Sequence, residues 1–207
     1  IGYMPISKLS WMTPKISALA TDTLKSLKSM EGAGIVSPPS PITDEPESIK
    51  TSKMFAAEQI DVLILHFVTF PAGALIPAAV SALDCPVILL ANPEKPGAGK
   101  MWEQNSFCGA NLGAFVMKRL GKKYTFVRAL PSETAKALAI PLKAVQCLTN
   151  LKNMRIGLVG GRVPGFYTSN FDEMLLRRSL GVSIEVIELL EIVDTAKKLS
   201  AAEKKEA

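Results

Sequence analysis

Two nearly uninterrupted apolar runs constrain the fold of this chain more than any other feature. They are "DVLILHF" at residues 61–67 and "PVILLAN" at residues 86–92, and each has the length of one β-strand. Strands buried on both faces carry such continuous apolar sequences, whereas half-exposed strands alternate between apolar and polar residues. The segment between the runs is typical of a helix that starts near Pro71. The runs therefore predict neighbouring strands of a parallel sheet.

Further strands and helices alternate along the chain in the same way. Apolar spacing predicts one helix over about residues 14–30 and another over 106–120, each followed by glycine. The proline-rich segment 38–48 predicts an exposed loop, and Ser132 is the predicted N-cap of a helix that runs toward Thr149. This alternation predicts an α/β fold with a doubly wound parallel sheet of about five strands. The predicted strands are residues 1–6, 34–37, 61–67, 86–92 and 124–130.

The predicted sheet is complete by about residue 150, and a new β-α unit begins after it. This second unit is too small for a full domain of ordinary size. We therefore expect an N-terminal α/β domain over residues 1–150 and the incomplete beginning of a second α/β domain over residues 151–207. The chain also starts without Met, so we expect it to be a piece of a longer protein. The predicted elements of the second unit are strands at 155–159 and 183–189 and helices at 171–180 and from Asp194 onward.

Charge and cysteine content narrow the class of protein. The net charge is +5, but basic residues such as Lys118 and Arg119 lie at helix ends without interleaved aromatic residues, which disfavours nucleic acid binding. The uncharged run at residues 62–83 is long enough to span a membrane, but prolines and a glycine interrupt it, so we expect soluble core and no membrane partner. Three separated cysteines and no visible secretion signal predict free thiols and a cytoplasmic location.

The stretch "RIGLVGGRVPGFYTSNFDEMLLRRSLGV", residues 155–182, places a glycine-rich loop between a strand and a helix. Many nucleotide sites begin in this way. However, the glycines have neither the G-x-G-x-x-G spacing of a dinucleotide site nor the Gly-Lys-Ser/Thr sequence of a P-loop. Two interpretations stay open: a turn that places Arg162, Phe166 and Tyr167 at the carboxyl end of a strand, where ligands bind, or a packing turn.

The histidine, the cysteines and the carboxylates give weak signals for catalysis. His66 is the single histidine and ends a buried strand, and no G-x-S-x-G motif accompanies it, so we favour a hydrogen-bonded structural role. Cys108 lies near a helix start, where a thiolate is favoured, but beside a glycine we interpret it as a small packing residue. No pair of carboxylates has the spacing of metal ligands.

Polar and aromatic side chains follow the ends of the predicted strands and the long loop at residues 93–104. The carboxyl ends of parallel strands meet at one edge of a sheet, which is where α/β proteins bind ligands. Amides, hydroxyls and an aromatic ring suit a sugar, because polar groups bind its hydroxyls and the ring covers its C–H surface. The residues at these ends are Ser7, Lys8, His66, Thr69, Phe70, Asn92, Glu94, Gln104, Asn105 and Ser106.

Several segments, in this order, resemble the L-fucose isomerase and L-arabinose isomerase superfamily. They are "IGYMP", "DVLILHFVTF", "NSFCGANLGAFVMKRLG" and "RIGLVGGRVPGFY" followed by "FDEMLLRRSLGV". The resemblance spans nearly the whole chain. It implies a flavodoxin-like N-terminal domain, followed by the beginning of a central α/β domain.

The resemblance implies a parent protein that interconverts aldoses and ketoses with a divalent metal, commonly Mn²⁺. Carboxylates of such enzymes move a proton between adjacent sugar carbons, while the metal polarises the carbonyl and hydroxyl oxygens. The resemblance places these carboxylates and a histidine beyond Ala207. It therefore implies that this chain contains no catalytic residue and no metal ligand, and that it is inactive alone.

The same resemblance implies that the N-terminal domain of a homo-oligomer supplies monosaccharide contacts to a neighbouring subunit. The implied substrate-binding residues are Phe70 and Gln104, followed by Asn105 and Lys8. Where related enzymes carry a histidine beyond that glutamine, this chain has "NSFCG", which bears on the sugar that fits. The alternative is a non-catalytic sugar-binding module, since paired α/β domains also bind sugars in a cleft.

Overall fold

The structure, a computed structural model, describes residues 1–94 and 102–206. The chain divides into two compact units, Ile1–Gln146 and Cys147–Ala207. The predicted long loop at residues 93–104 lies partly outside the described residues.

The first unit is built around a four-stranded parallel sheet with the order β1-β2-β3-β4. Its register pairs Gly2 with Leu63, Leu63 with Val87, and Val87 with Tyr124. Helices connect the strands, so the predicted α/β fold with a doubly wound parallel sheet is confirmed. The strands are Gly2–Ile6 (β1), Leu63–Phe67 (β2), Val87–Ala91 (β3) and Tyr124–Arg128 (β4).

Two isolated bridges extend the sheet on the side of β1 away from β2. Gly2 pairs with Val36 and Ile6 pairs with Ile42, both in parallel. These bridges replace the strand predicted at residues 34–37, because the prolines that follow have no N–H to continue a ladder. The resulting spatial order is that of flavodoxin-like folds, in which the order of connection reverses between β1 and β2.

The burial of the central strands explains the two apolar runs of the sequence. Every residue of β1, β2 and β3 is buried. Leu63, Leu65 and Phe67 belong to the core cluster on one face of the sheet, whereas Ile64 belongs to a second cluster. A strand that contributes to two cores has no solvent face, which is why its sequence does not alternate.

Helices of the first unit pack against the sheet and connect each strand to the next. The uncharged run at residues 62–83 forms β2, a turn and a short helix instead of one long helix. The last helix of this unit contains the boundary to the second unit. The helices are Pro14–Lys28 (α1), Glu45–Ala57 (α2), Leu75–Ala79 (α3), Ser106–Arg119 (α4) and Thr134–Lys152 (α5).

Helix α2 contradicts the expectation that residues 38–48 form an exposed loop. The Asp44 carboxylate accepts a hydrogen bond from the Glu47 N–H at 2.9 Å, and Pro46 lies in the first turn. An acidic N-cap and an early proline are both start signals of a helix. The segment is not uniformly exposed either, because Ile42 is fully buried.

Two further helix starts in the first unit differ from the sequence-based expectation. Helix α3 begins at Leu75 rather than near Pro71, because the residues after Pro71 form a turn. Ser132 is not an N-cap; it lies inside the 3₁₀ turn Pro131–Glu133 that precedes α5.

The second unit contains a two-stranded parallel sheet in which Arg155 pairs with Ser183. Val182 is buried in this unit, but β5 is exposed along its length and the two longer helices bury none of their residues. The last long helix begins at Leu189 rather than at Asp194, because the second strand ends early and Glu188 takes the N-cap position. The elements are Arg155–Val159 (β5), Glu173–Leu180 (α6), Ser183–Ile187 (β6), Leu189–Lys198 (α7) and Glu203–Glu206 (α8).

Candidate functional site

The carboxyl ends of β3 and β4 border a cleft with a volume of about 400 Å³. This volume falls within the range of small-molecule pockets, and this edge of the sheet is where α/β proteins bind ligands. The chain after β3, the segment before α4 and the first turn of α4 complete the cleft. Its lining includes Asn92, Glu94, Trp102, Asn105, Cys108 and Arg128.

Hydrogen bonds fasten the start of α4 to the strand ends. The Ser106 hydroxyl donates to the Phe67 carbonyl and accepts from the Asn92 N–H at 2.8 Å. The Glu94 carboxylate accepts from the N–H groups of Gln104 at 3.2 Å and Ser106 at 3.3 Å. Asn105, at the N-cap position of α4, has a left-handed backbone with a φ of 50°. Asn tolerates this conformation better than most residues, so the position suits it.

Gln104 joins this segment to the end of β2. Its carbonyl accepts a hydrogen bond from the Phe70 N–H at 2.8 Å. The residue is only 8% exposed, and its side-chain oxygen has no hydrogen-bond partner among the described residues. A buried acceptor without a donor is rare in folded proteins and calls for an explanation at that position.

The structure brings three of the four predicted substrate-binding residues together. Phe70 and Gln104 are hydrogen-bonded through their backbones, and Asn105 follows Gln104 and lines the cleft. Lys8 lies at the end of β1, where its N–H donates to the Thr69 hydroxyl at 2.9 Å. Its ammonium lies 5.3 Å from the centre of a tryptophan ring, that of Trp11, rather than in this cleft. Substrate binding by these four residues stays a prediction.

His66 is fully buried beneath the rim and has hydrogen bonds to both ring nitrogens. Nδ1 lies 2.7 Å from the Tyr3 hydroxyl, and Nε2 lies 2.7 Å from the Asn92 side-chain oxygen. Burial lowers the pKa of His66 to about 4, although the hydrogen bond with Asn92 opposes this shift. The ring is therefore neutral at pH 7, and the predicted structural role is confirmed.

The hydrogen-bond network assigns the tautomer of that ring. The Asn92 amide nitrogen donates to the Ala129 carbonyl at 3.0 Å, so its oxygen faces the histidine. Nε2–H of His66 then donates to Asn92, and Nδ1 accepts from Tyr3. The Tyr3 hydroxyl also lies 3.1 Å from the Ala20 carbonyl, which is a second acceptor for its proton.

Four residues of the cleft are missing from the sequence-based set of strand-end residues: Trp102, Phe107, Cys108 and Arg128. Arg128 is the last residue of β4, so the rule that selected the other strand ends applies to it equally. Trp102 precedes Gln104 and also lines a second cleft of about 520 Å³, together with Trp11 and Lys15. Cys108 is exposed and lines the cleft, so its interpretation as a packing residue is wrong.

The glycine-rich loop of the second unit is an exposed turn. Gly160 and Gly165 have φ values of 67° and 80°, a region that favours glycine. Arg162, Phe166 and Tyr167 follow β5 and are exposed, and the Arg162 guanidinium lies 5.4 Å from the centre of the Tyr167 ring. The positive φ values account for Gly160 and Gly165 as turn residues, and the loop supplies no phosphate cradle.

Within residues 1–94 and 102–206, no cluster of three or more His, Cys, Asp or Glu side chains has the geometry to hold a metal ion. Across that same part of the chain, each helix is too short or too polar to cross a bilayer.

The fold and the rim define a flavodoxin-like α/β protein with a cleft at its strand ends. No protein-family model matches the chain. It is 26% identical to the sulfoquinovose isomerase of Alkalicoccus urumqiensis over 197 residues, which cover 94% of this chain and 44% of that protein. It is also 26% identical, over 205 residues, to the sulfoquinovose isomerases of Priestia aryabhattai and Priestia megaterium (strain ATCC 12872 / QMB1551), with 97% of this chain and 45% of each relative covered.

These matches support the resemblance at the level of sugar isomerases. The chain spans less than half the length of the curated relatives it matches. The narrower resemblance to L-fucose and L-arabinose isomerases stays a prediction.

Proposed function

We propose that this chain is the N-terminal part of a metal-dependent aldose–ketose sugar isomerase, to which it contributes substrate contacts and subunit assembly. The similarity to proteins named as isomerases of a sugar extends over almost all of the chain. The cleft at the strand ends has the size of a monosaccharide site.

The similarity over almost the whole chain is the single observation that carries the proposal, and the side-chain oxygen of Gln104 is the contact that we propose for the sugar. Leaving a buried acceptor unpaired costs about 1–3 kcal/mol. A sugar hydroxyl is a donor that satisfies this oxygen on binding, whereas an apolar or purely anionic ligand has no proton to give it. A monosaccharide offers several such hydroxyls in a fixed arrangement.

The neighbouring predicted residues have complementary roles in this proposal. Asn105 follows Gln104 and supplies an amide that both donates and accepts hydrogen bonds. Phe70, which is partly buried, offers a ring that covers the C–H face of the sugar. Lys8 is exposed on the same rim and binds a more distant hydroxyl or a group from a neighbouring subunit.

The described residues do not fit a manganese site. Mn²⁺ would polarise the carbonyl and hydroxyl oxygens of the sugar. The His66 nitrogens are both hydrogen-bonded, and the Glu94 oxygens accept two backbone N–H groups, so neither side chain is open to a metal. The proposal therefore assigns the metal ligands and the proton-transferring carboxylates to polypeptide beyond Ala207, and the chain alone does not isomerise.

Two measurements on the 207-residue chain test this proposal. Titration calorimetry with sulfoquinovose and a panel of neutral aldoses is expected to detect weak binding. Incubation of the same sugars with the chain and Mn²⁺ is expected to yield no ketose. Turnover by the chain alone would contradict the assignment of catalysis to other polypeptide. Tight sugar binding without metal would favour the sugar-binding module instead.

A Gln104→Met variant separates ligand binding from folding. Methionine keeps most of the volume and removes the unpaired oxygen, so the stability of the chain is expected to stay the same or rise. Sugar affinity is expected to fall about tenfold, because a hydrogen bond to the sugar is lost. Gln146→Met, at an exposed position outside the cleft, is the matched control and leaves both quantities unchanged. Unchanged affinity in Gln104→Met would contradict the role of this oxygen.

A further inference from the structure

The cleft contains one arginine among its described lining residues, Arg128. It is the last residue of the edge strand β4 and pairs in register with Ala91, directly before Asn92. Its side chain is exposed, and within the described part of the chain it has neither an ion pair nor a hydrogen bond. By contrast, Arg155 in the second unit pairs with Glu185 at 2.8 Å. Arg128 therefore presents an uncommitted guanidinium at the rim.

The one carboxylate in the described lining does not neutralise this guanidinium. Glu94 directs its two oxygens to the backbone N–H groups of Gln104 and Ser106. The amide of Asn92 is also committed, to His66 and to Ala129. What the cleft offers to a ligand is thus the guanidinium of Arg128 and the side-chain amide of Asn105, which has no hydrogen bond among the described residues.

A guanidinium beside an amide suits a tetrahedral oxyanion. The planar fork of arginine donates two parallel N–H groups to two oxygens of one sulfonate or phosphate group, and such charge-assisted bonds are roughly twice as strong as neutral ones. The amide nitrogen of Asn105 is a further donor for a third oxygen.

We infer that Arg128, with Asn105, binds a tetrahedral anionic substituent of the sugar and so selects a charged monosaccharide over a neutral one. This inference rests on the proposed function and names its substrate class. Sulfoquinovose, the sugar in the names of the relatives, is a hexose that carries a sulfonate group, which fits this class.

The remaining walls of the cleft accommodate the rest of such a sugar. Trp102 is 46% exposed and Phe107 is 58% exposed, so both offer ring faces to its C–H surface. The anionic group lies against Arg128 and Asn105, and the rest of the sugar lies along the two rings. Selectivity then comes from the charged end, and the neutral contacts are common to all hexoses.

Binding of four probes to the 207-residue chain tests the inference: sulfoquinovose, glucose 6-phosphate, glucose and inorganic sulfate. Titration calorimetry is expected to show at least about tenfold tighter binding of sulfoquinovose than of glucose, because charge-assisted bonds exceed neutral ones. Added salt is expected to reduce this difference. Glucose 6-phosphate is expected to bind as well as sulfoquinovose if the site accepts any tetrahedral anion. If the site is specific for sulfonate, it binds less well.

Variants of Arg128 assign the preference to this side chain. Arg128→Gln is expected to bind sulfoquinovose no better than glucose, and Arg128→Lys to retain part of the preference as a point charge. Arg119→Gln, exposed in the last turn of α4, is the matched control and keeps the full preference. Both positions are exposed, so the variants are expected to fold, and circular dichroism confirms this before titration.

The outcomes separate this inference from the proposed function. Equal binding of glucose and sulfoquinovose, unchanged in Arg128→Gln, would overturn the role of Arg128 and leave sugar binding intact. Binding of sulfate that depends on Arg128, without binding of any sugar, would support the anion site and overturn the proposed function. No binding of any probe would overturn both.

Discussion

The buried His66 makes the stability of this chain depend on pH. Lowering the pH is expected to destabilise the folded chain through this side chain. The ring titrates with a pKa of about 4 in the folded chain, compared with 6.5 when exposed to solvent. The unfolded chain therefore takes up a proton between these values, while the folded chain does not. Stability is complete above about pH 6.5 and is lost as the pH falls toward the folded pKa.

The size of this effect follows from the shift. Each pKa unit corresponds to about 1.4 kcal/mol, so the full loss below both pKa values is about 3 kcal/mol. At pH 5 the loss is about 2 kcal/mol relative to pH 8, before most carboxylates begin to protonate. The geometry permits the charged ring: Nδ1–H would donate to the Tyr3 oxygen, whose proton would turn to the Ala20 carbonyl. The loss thus reflects burial of charge rather than a broken hydrogen bond.

Urea unfolding followed by circular dichroism, from pH 8 to pH 5, measures this loss. A His66→Gln variant keeps a donor and an acceptor but does not titrate, so its stability is expected to be lower at pH 8 and flatter with pH. Because His66 is the only histidine, NMR of the folded chain reports its pKa without assignment of overlapping signals, even where the variant does not fold. A measured pKa near 6.5, or equal pH slopes in both chains, would refute the reasoning.

Two core and capping substitutions give further predictions. Gly113→Ala is expected to destabilise the chain by about 2 kcal/mol, because the new methyl would collide with the Phe67 ring and overpacking outweighs the better helix propensity of alanine. Gly73→Ala is its control, because the new methyl would meet only Leu112 at an ordinary contact distance of 3.9 Å. Equal midpoints of thermal unfolding for the two variants would contradict the clash. Asp44→Ala is expected to cost about 1 kcal/mol by removing the cap of α2. Asp84→Ala, at an exposed position, is the control in urea unfolding. Equal losses of unfolding free energy in the two variants would rule out capping.

The apolar runs were sufficient to locate the central strands, because burial on two faces leaves a direct mark on sequence. β2 and β3 lie inside the predicted ranges and lose only end residues. The outer strand was overpredicted, since "GIVS" has a strand-like composition but pairs through Val36 alone. Helix α2 was hidden by the prolines around it, although Asp44 and Pro46 are signals that a capping rule could have weighed against them.

The site was predictable to the extent that it follows strand ends. Phe70, Gln104 and Asn105 follow from that rule and from resemblance, and the structure places them together. Arg128 is not among the predicted strand ends because the sequence predicts a strand over residues 124–130, whereas β4 ends at Arg128. The lack of a described partner for the Gln104 side-chain oxygen has no signature in sequence, because whether a group finds a donor depends on distant parts of the chain.

The close contact of α4 with the sheet has a consequence for how the cleft can adapt. Gly109 and Gly113 remove the side chains that would hold this helix away from Phe67, and Ser106 fastens its first turn to two strand ends. The packed start of α4 therefore forms a rigid platform at the base of the cleft. Substitutions that change sugar preference are expected among the side chains that line the cleft above it. Divergence of substrate choice among relatives should accumulate around Trp102 and Arg128 while the platform stays constant.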